Sequence, residues 1–346
     1  MKHTSLSDLR KNSLAFLAFM LSISGFSQGN SDAGVYLSTL NTEYGKLSKD
    51  MMDYISAANH GRSARKVEKR RIELVLQLKE SERTIRKMKP FKGDSKLRDS
   101  IAAYFRMSSL VINEDYGKIV NLEDIAEQSY DAMEAYLLAK EKAGDKIERV
   151  QDAAEIEYKS FAATNNIRLI EGDSKLSLRL KEAGTVNAYH KILYLIFFKS
   201  YKDEAYLLEA ITAGNVSAME QNRNALAASA SEGLSKIGPI SGFKGDLSLK
   251  NATQQQLMFY KNEVTQIPVL IDFLLAKEKF EKIKKAIDAN SNRTQEDVKN
   301  FNLAVNDFNA KVNKSNQVNA ELFKKRSALL KSWNDASEAF LHKHTP

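Results

Sequence analysis

The chain has 346 residues, no cysteine and a formal net charge of +8. Without cysteine it can form no disulfide, no thiolate metal site and no thiol nucleophile, and no lipid can be attached to an N-terminal cysteine. Only four prolines and 15 glycines interrupt a chain that is rich in good helix formers, which predicts an all-α protein.

A targeting signal is predicted at the N-terminus. Basic residues precede a short apolar stretch, Leu14 to Ile23, and small residues follow it up to Ser27. This order is typical of a secretory signal peptide, here residues 1–27. A membrane anchor is the alternative, but it would need about 20 apolar residues to cross the bilayer. We therefore expect export to the periplasm, the cell surface or the medium, with no transmembrane anchor in the mature chain.

Apolar residues recur at helical spacing in the mature chain. In the first predicted helix they are Leu40, Tyr44, Leu47, Met51, Tyr54 and Ala58. After Gly61 the pattern continues at Val67, Leu74, Leu78, Ile85 and Met88, and Pro90 should end that helix. Such stripes predict helices that pack on their neighbours, and the short break at Gly61 predicts an antiparallel pair.

An internal repeat links the two halves of the chain. Phe91-Lys92-Gly93-Asp94 corresponds to Phe243-Lys244-Gly245-Asp246, and a glycine precedes each copy, Gly61 and Gly214. The same six residues, beginning Leu-Leu-Ala, then follow at Leu137 and at Leu274. We interpret this as two tandem related antiparallel helical bundles with long helices and an elongated form, residues 28–168 and 169–346. The second unit would contain a shorter helical hairpin before Leu274, and each Gly-Asp pair would cap a helix N-terminus.

Charge is distributed unevenly along the first unit. Residues 62–98 carry a net charge of +9 and residues 114–157 a net charge of −8. The basic stretch, with Arg65, Lys66, Lys69 and Arg70, predicts contact with an acidic partner, either an envelope protein or an acidic polymer. The acidic stretch should neutralise part of this charge within the bundle, which disfavours nucleic acid as the partner.

Aromatic residues are concentrated between Tyr189 and Tyr206, around the apolar run Ile192 to Phe198. An uninterrupted apolar run on a helix predicts a central segment that is covered on all sides. Alternatively, Tyr194, Phe197, Phe198 and Tyr201 form a wall of an apolar ligand pocket or a face that docks a partner. A long C-terminal helix is predicted to close the second unit.

The residues offer no recognisable reaction chemistry. After residue 27 the histidines are His60, His190, His342 and His344, and none lies in a metal-binding motif. His342 and His344 are expected on a frayed, solvated C-terminus. We therefore predict no catalytic residues, no cofactor and no metal, and we expect that the protein is not an enzyme.

The two Phe-Lys-Gly-Asp copies, the stretch His60 to Arg71 and the stretch Tyr194 to Lys202 together carry a resemblance to a family of bacterial surface proteins of unknown function. The resemblance implies a location at the cell envelope or outside the cell. Some family members look like lipoproteins, but this chain has no cysteine to acylate. The resemblance implies no catalytic residues.

These observations predict an exported, non-enzymatic protein of the cell envelope or cell surface, which acts as a helical binding or structural module. The alternative is a carrier or sensor that binds a small apolar ligand between the bundles.

Overall fold

The computed structural model describes residues 32–61, 63–115, 128–169 and 174–346. The predicted signal peptide lies outside these residues. Eight α-helices lie within them: α1 Asp32–Asn59, α2 Ala64–Lys87, α3 Lys96–Leu110, α4 Tyr130–Thr164, α5 Lys175–Ala213, α6 Val216–Ile237, α7 Ser248–Ala289 and α8 Gln295–His344. A π-helical turn, Val111–Asp115, follows α3. The prediction of an all-α fold is confirmed.

Packing divides the chain into two compact units. Unit 1 contains the residues up to Lys191 together with Ser337–Pro346, and unit 2 contains Ile192–Ala336. This division lies within α5, whereas the sequence repeat placed the boundary at residue 168. That the two units are related bundles stays a prediction.

Helices α1 to α4 form most of unit 1, and α1 and α2 run antiparallel. Ser81 Oγ of α2 donates a hydrogen bond of 2.6 Å to Glu43 Oε2 of α1. Further along α1, Asp53 Oδ2 lies 3.9 Å from Nη1 of Arg70, which comes earlier in α2. The six apolar residues of the predicted α1 stripe are all buried, as are Val67, Leu74, Leu78 and Ile85 of α2. The stripe predicted for α1 is therefore confirmed as core, and so is that of α2 apart from Met88, which is half-buried.

In unit 2, α7 and α8 also run antiparallel. Trp333 Nε1 donates to Thr253 Oγ1 at 3.0 Å near the start of α7, and Phe280 stacks on Phe301 at 5.9 Å near its end. The apolar core of this unit is drawn from α5 to α8. Its larger buried members include Leu207, Met219, Leu226, Leu257, Tyr260, Ile267 and Leu322.

The predicted second hairpin is wrong. Residues Ser248–Ala289 form one continuous helix, α7, which contains Pro268. An interior proline removes one backbone hydrogen bond and its ring crowds the carbonyl four residues earlier, so the packing of α7 must offset this cost. As a result, the repeated sequence at Leu274 lies in α7, the helix that directly follows the Phe243–Asp246 copy. The sequence at Leu137 instead lies in α4, and not in α3, the helix that directly follows the Phe91–Asp94 copy.

The two Phe-Lys-Gly-Asp copies have nearly identical backbones. In Phe91–Asp94 and in Phe243–Asp246 the first and last residues exchange two backbone hydrogen bonds of 2.9–3.0 Å. The lysine and glycine have φ angles of 51° and 87° in the first copy, and of 49° and 84° in the second. Two consecutive positive φ angles define a type I′ turn, which normally requires glycine or asparagine.

The side chains around each turn satisfy the ends of the two flanking helices. Asp94 Oδ1 accepts from the first amide of α3 at 2.9 Å, and Asp246 Oδ1 accepts from the first amide of α7 at 2.8 Å. A basic side chain four residues later returns to the end of the preceding helix, where Arg98 donates to Met88 O and Lys250 to Gly238 O. Each aspartate thus accepts a hydrogen bond from a first-turn amide, as predicted, but it lies one position before the N-cap residue, which is Ser95 for α3 and Leu247 for α7. The repeat is thus a structural unit that joins two helices.

Alanine at Gly45 and at Gly245 should have opposite effects on stability. No neighbouring atom lies within 4 Å of a Cβ at either position, but Gly45 is in the middle of α1 and Gly245 has a φ of +84°. We expect Gly45→Ala to raise the free energy of unfolding by about 0.5–1 kcal/mol. Gly245→Ala should lower it by about 1–2 kcal/mol because an L residue is strained there. Urea titration measures both, and changes of the same sign would contradict the backbone explanation.

Candidate functional site

The four basic residues predicted to contact a partner all lie exposed on α2. The buried stripe of α2 faces the core of unit 1, so that Arg65, Lys66, Lys69 and Arg70 are left in solvent. The structure therefore brings these four side chains together on accessible helix surface, as a binding role requires.

The exposed face of α2 also contains two apolar residues. Ile72 is 47% exposed and Leu76 is 60% exposed. They follow Arg65 and Lys69 at steps of three and four residues, which places all four along one line of the helix surface. Lys79 and Arg83, both exposed, extend the line at the same spacing. We call these six residues, Arg65, Lys69, Ile72, Leu76, Lys79 and Arg83, the α2 stripe.

The ion pairs described for the basic residues are local. Arg70 Nη1 lies 2.9 Å from Glu73 Oε2, and Arg71 Nη2 lies 2.7 Å from Glu68 Oε1. Within the described ranges, no acidic side chain forms an ion pair with Arg65. The described ion-pair partners of these residues lie on α2 itself and on α1. Residues 116–127 of the acidic stretch lie outside the described residues, so neutralisation by that stretch stays a prediction.

The aromatic residues predicted as a second contact surface are packed in unit 2. Phe197 and Phe198 are fully buried, and the Phe197 ring stacks on Trp333 with centroids 3.9 Å apart. Tyr194 lies 5.4 Å from Phe198, and Tyr201 lies 5.5 Å from Phe197, between ring centroids. The structure thus brings the four predicted residues together with a fifth, Trp333, from α8.

The apolar run Ile192 to Phe198, which contains three of these rings, is not covered on all sides. Ile192, its first residue, is 50% exposed. Further along the run, Leu193, Phe197 and Phe198 are buried, whereas residues 194–196 are half-buried. The expectation of complete coverage was therefore too strong for Ile192.

A buried ionic cluster in unit 2 was not predicted from the sequence. Glu204 of α5 and Glu263 of α7 are both buried, and both accept hydrogen bonds from the guanidinium of Arg326 in α8. The distance from Arg326 Nε to Glu204 Oε1 is 2.6 Å. One guanidinium therefore serves two carboxylates, which leaves the cluster with an excess negative charge when both are ionised.

This excess charge changes the acidity of Glu204. Burial and the neighbouring carboxylate of Glu263 raise the pKa of Glu204 well above its usual range, although Arg326 acts in the opposite direction. Burial also raises the pKa of the Tyr260 hydroxyl in the same region. Two carboxylates that share one cation favour uptake of a proton, so the cluster retains a proton more strongly than an exposed glutamate does.

The C-terminus is ordered rather than frayed. Helix α8 continues to His344, and Thr345 is buried, where its Oγ1 accepts a hydrogen bond of 2.9 Å from Asn59 Nδ2. Leu341 and Phe340 are also buried. The expected solvated tail is therefore wrong, because these apolar side chains anchor the last turns of α8 in unit 1.

His190 is a buried histidine of unit 1. Its Nε2 lies 2.7 Å from Ser337 Oγ, and burial lowers the pKa of the imidazole to about 4. The folded protein therefore holds this ring neutral at pH values where an exposed histidine is protonated.

In the part of the chain that the structure describes, no helix is long and apolar enough to cross a membrane. The same residues contain no group of three or more histidine, cysteine or acidic side chains arranged to hold a metal ion. Comparison of the chain with protein-family models, with curated proteins and with solved structures found no match. The resemblance to bacterial surface proteins therefore stays a prediction.

Replacing Arg326 with methionine should lower the free energy of unfolding by about 3–5 kcal/mol, because two buried carboxylates lose their only described cation. Lys325→Met, on the exposed neighbouring position of α8, should change it by less than about 0.5 kcal/mol. Denaturant titration at pH 7 compares the two variants. Equal effects would show that the cluster contributes little.

Acid should destabilise the wild-type protein through His190, and glutamine at this position should remove that effect. Because the folded-state pKa is lowered, the contribution of neutral His190 is complete above pH 6.5 and is lost as the pH falls towards about 4. His190→Gln should therefore gain up to about 3 kcal/mol relative to wild type across this interval. Ser337→Ala is the control, since it removes the hydrogen bond and keeps the titrating ring. Parallel pH profiles of wild type and His190→Gln in thermal melts would contradict the assignment.

Proposed function

We propose that this protein is an exported, non-enzymatic helical module of the cell envelope or cell surface, and that the α2 stripe binds an acidic partner there. The observation that carries the proposal is the stripe itself, with exposed basic residues on both sides of two exposed apolar residues. The predicted signal peptide supports export, and the absence of a recognisable catalytic motif in the sequence supports binding rather than catalysis.

The arrangement of the α2 stripe indicates what kind of partner fits it. The basic residues lie towards both ends, whereas Ile72 and Leu76 lie in the middle. A partner that matches this order carries acidic groups opposite the ends and apolar groups opposite the centre. Long-range attraction between opposite charges accelerates encounter, and burial of an exposed isoleucine or leucine contributes about 1.5–3 kcal/mol to association.

Other occupants match the stripe less well. A second copy of this chain, docked through the same stripe, would place basic residues opposite basic residues and would be repelled. A uniformly acidic polymer would meet Glu68 and Glu73, which flank Lys69 on α2. An acidic envelope protein with its charges in separate groups therefore agrees best with the charge pattern, and an acidic polymer is the second possibility.

The alternative function, a carrier of a small apolar ligand, depends on the aromatic residues of unit 2. Phe197 is in direct contact with Trp333, and Phe198 is fully buried by protein. Protein side chains thus occupy the space beside these two rings. No described feature favours this alternative over the α2 stripe.

Neutralising four basic residues in the first turns of α2, two of which belong to the α2 stripe, should reduce binding to purified envelope fractions. The variant carries glutamine at Arg65, Lys66, Lys69 and Arg70, and we expect at least about tenfold less captured partner at low ionic strength. Capture by the wild type should also fall as salt is raised, because exposed charges are screened within about 10 Å at 0.1 M salt. Quantitative pull-down with the immobilised protein measures both effects.

A matched control carries glutamine at four exposed lysines of α7 and α8, namely Lys279, Lys284, Lys285 and Lys299. It has the same net charge as the α2 variant and should bind like the wild type. If both variants captured equally less partner than the wild type, binding would depend on net charge and not on the α2 stripe. If capture by the wild type did not change with ionic strength, the proposal of electrostatic binding would be contradicted.

A further inference from the structure

Two histidines that are far apart in the sequence meet in unit 1. His60 directly follows α1, and His342 lies in the last turn of α8. Their ring centroids are 4.9 Å apart, with an angle of 45° between the ring planes. His342 is exposed, whereas His60 is half-buried.

The two ring nitrogens of His60 have different surroundings. Nδ1 lies 3.1 Å from Ser56 Oγ, one turn earlier at the end of α1. Nε2 is buried and has no hydrogen-bond partner among the described residues. When Nδ1–H donates to Ser56, Nε2 carries a free lone pair that is oriented by this hydrogen bond. A fixed imidazole with one nitrogen held and the other left as an acceptor is the usual arrangement of a metal-ligating histidine.

The separation of the two rings is compatible with a shared metal ion. A nitrogen-to-zinc bond of about 2.0–2.1 Å places the centroid of each ring about 3 Å from the metal. Two such ligands at a tetrahedral angle then have centroids about 5 Å apart, close to the spacing of His60 and His342.

A carboxylate lies beside the pair. Glu338 is one helical turn before His342 on α8, and residues four apart share a helix face. Its Oε1 lies 3.1 Å from the position that a Cβ of Gly61 would occupy, next to His60. Glu338 is exposed, so its side chain is able to rotate at small cost. The three residues do not form a complete ligand set as they stand.

We propose that His60 and His342 bind a divalent transition-metal ion, with Glu338 as a third ligand after rotation of its side chain. Two imidazoles and one carboxylate suit Zn²⁺, Ni²⁺ or Cu²⁺. Because the ligands come from the end of α1 and the end of α8, a bound ion links these two segments of unit 1. The site is separate from the α2 stripe and does not depend on the function proposed for it.

The test uses the full chain, purified without a histidine tag and titrated calorimetrically with Zn²⁺ and with Ni²⁺ alone. We expect one ion per chain, a dissociation constant in the micromolar range and a rise in Tm that increases with ion concentration. His342→Asn, on an exposed side chain, should weaken binding by at least about 100-fold, and Ser56→Ala by about 10-fold. With Cu²⁺, the wild type should show an electron paramagnetic resonance spectrum of nitrogen coordination.

His344→Asn is the matched control, because this histidine lies two residues after His342 and should leave the affinity within about twofold. His60→Asn should abolish one-to-one binding. If His60→Asn also disturbs the end of α1, the result for His342→Asn, whose side chain is exposed, decides the test. Absence of binding to the wild type, or unchanged affinity in His342→Asn, would overturn the proposal. An equal loss in His344→Asn would also overturn it, since His342 and His344 would then be the ligands instead of His60 and His342.

Discussion

The described helices bury apolar residues against their neighbours, and this requirement organises each of the two units. Burial of apolar surface, which stabilises the folded state by about 25 cal/mol per Å², is the largest favourable contribution to folding in a chain without disulfides. In α1 and α2 the stripes meet each other and define which residues are left outside. The position of the basic residues on α2 is therefore a consequence of core packing. Ile72 and Leu76 lie outside the buried stripe of α2, so core packing does not explain why these two residues are apolar.

The repeated turn shows how local chemistry supports that packing. Each copy places lysine and glycine at positive φ, caps the next helix with aspartate and returns a basic side chain to the preceding helix. Lys92 and Lys244 therefore occupy a backbone conformation that costs a non-glycine residue about 1 kcal/mol or more. Their ammonium groups lie over the adjacent phenylalanine rings at 5.4 and 5.8 Å, which offsets part of that cost.

The sequence was informative where the physical cause is local. Helical spacing predicted the buried stripes of α1 and α2, and glycine–aspartate pairs predicted the caps, because each depends on residues within a few positions of one another. The hairpin predicted between Asp246 and Leu274 was wrong because no strong break exists there and Pro268 is accommodated inside α7. Spacing alone does not reveal how packing will hold a proline in a helix.

Features that depend on distant residues were not predicted. The pairing of Arg326 with Glu204 spans 122 residues, and Phe197 meets Trp333 across a comparable interval. Asn59 and Thr345, near the two histidines of the candidate metal site, are 286 positions apart. No periodic pattern links such residues, since their contacts follow from which helices pack together. Only the charges of the candidate surface on α2 could be predicted from the sequence, because the exposure of Ile72 and Leu76 depends on how the unit folds.

The return of the C-terminal turns of α8 to unit 1 bears on how the chain matures. Residues Ser337–Pro346 complete a unit whose first helix is synthesised at the opposite end of the polypeptide. The residues that contact Asn59 and Tyr189 are synthesised long after them, so unit 1 stays incomplete until α8 has been made. Contacts of such high sequence separation form slowly. A chain that has been synthesised only as far as unit 2 therefore lacks side chains that the packing of unit 1 requires.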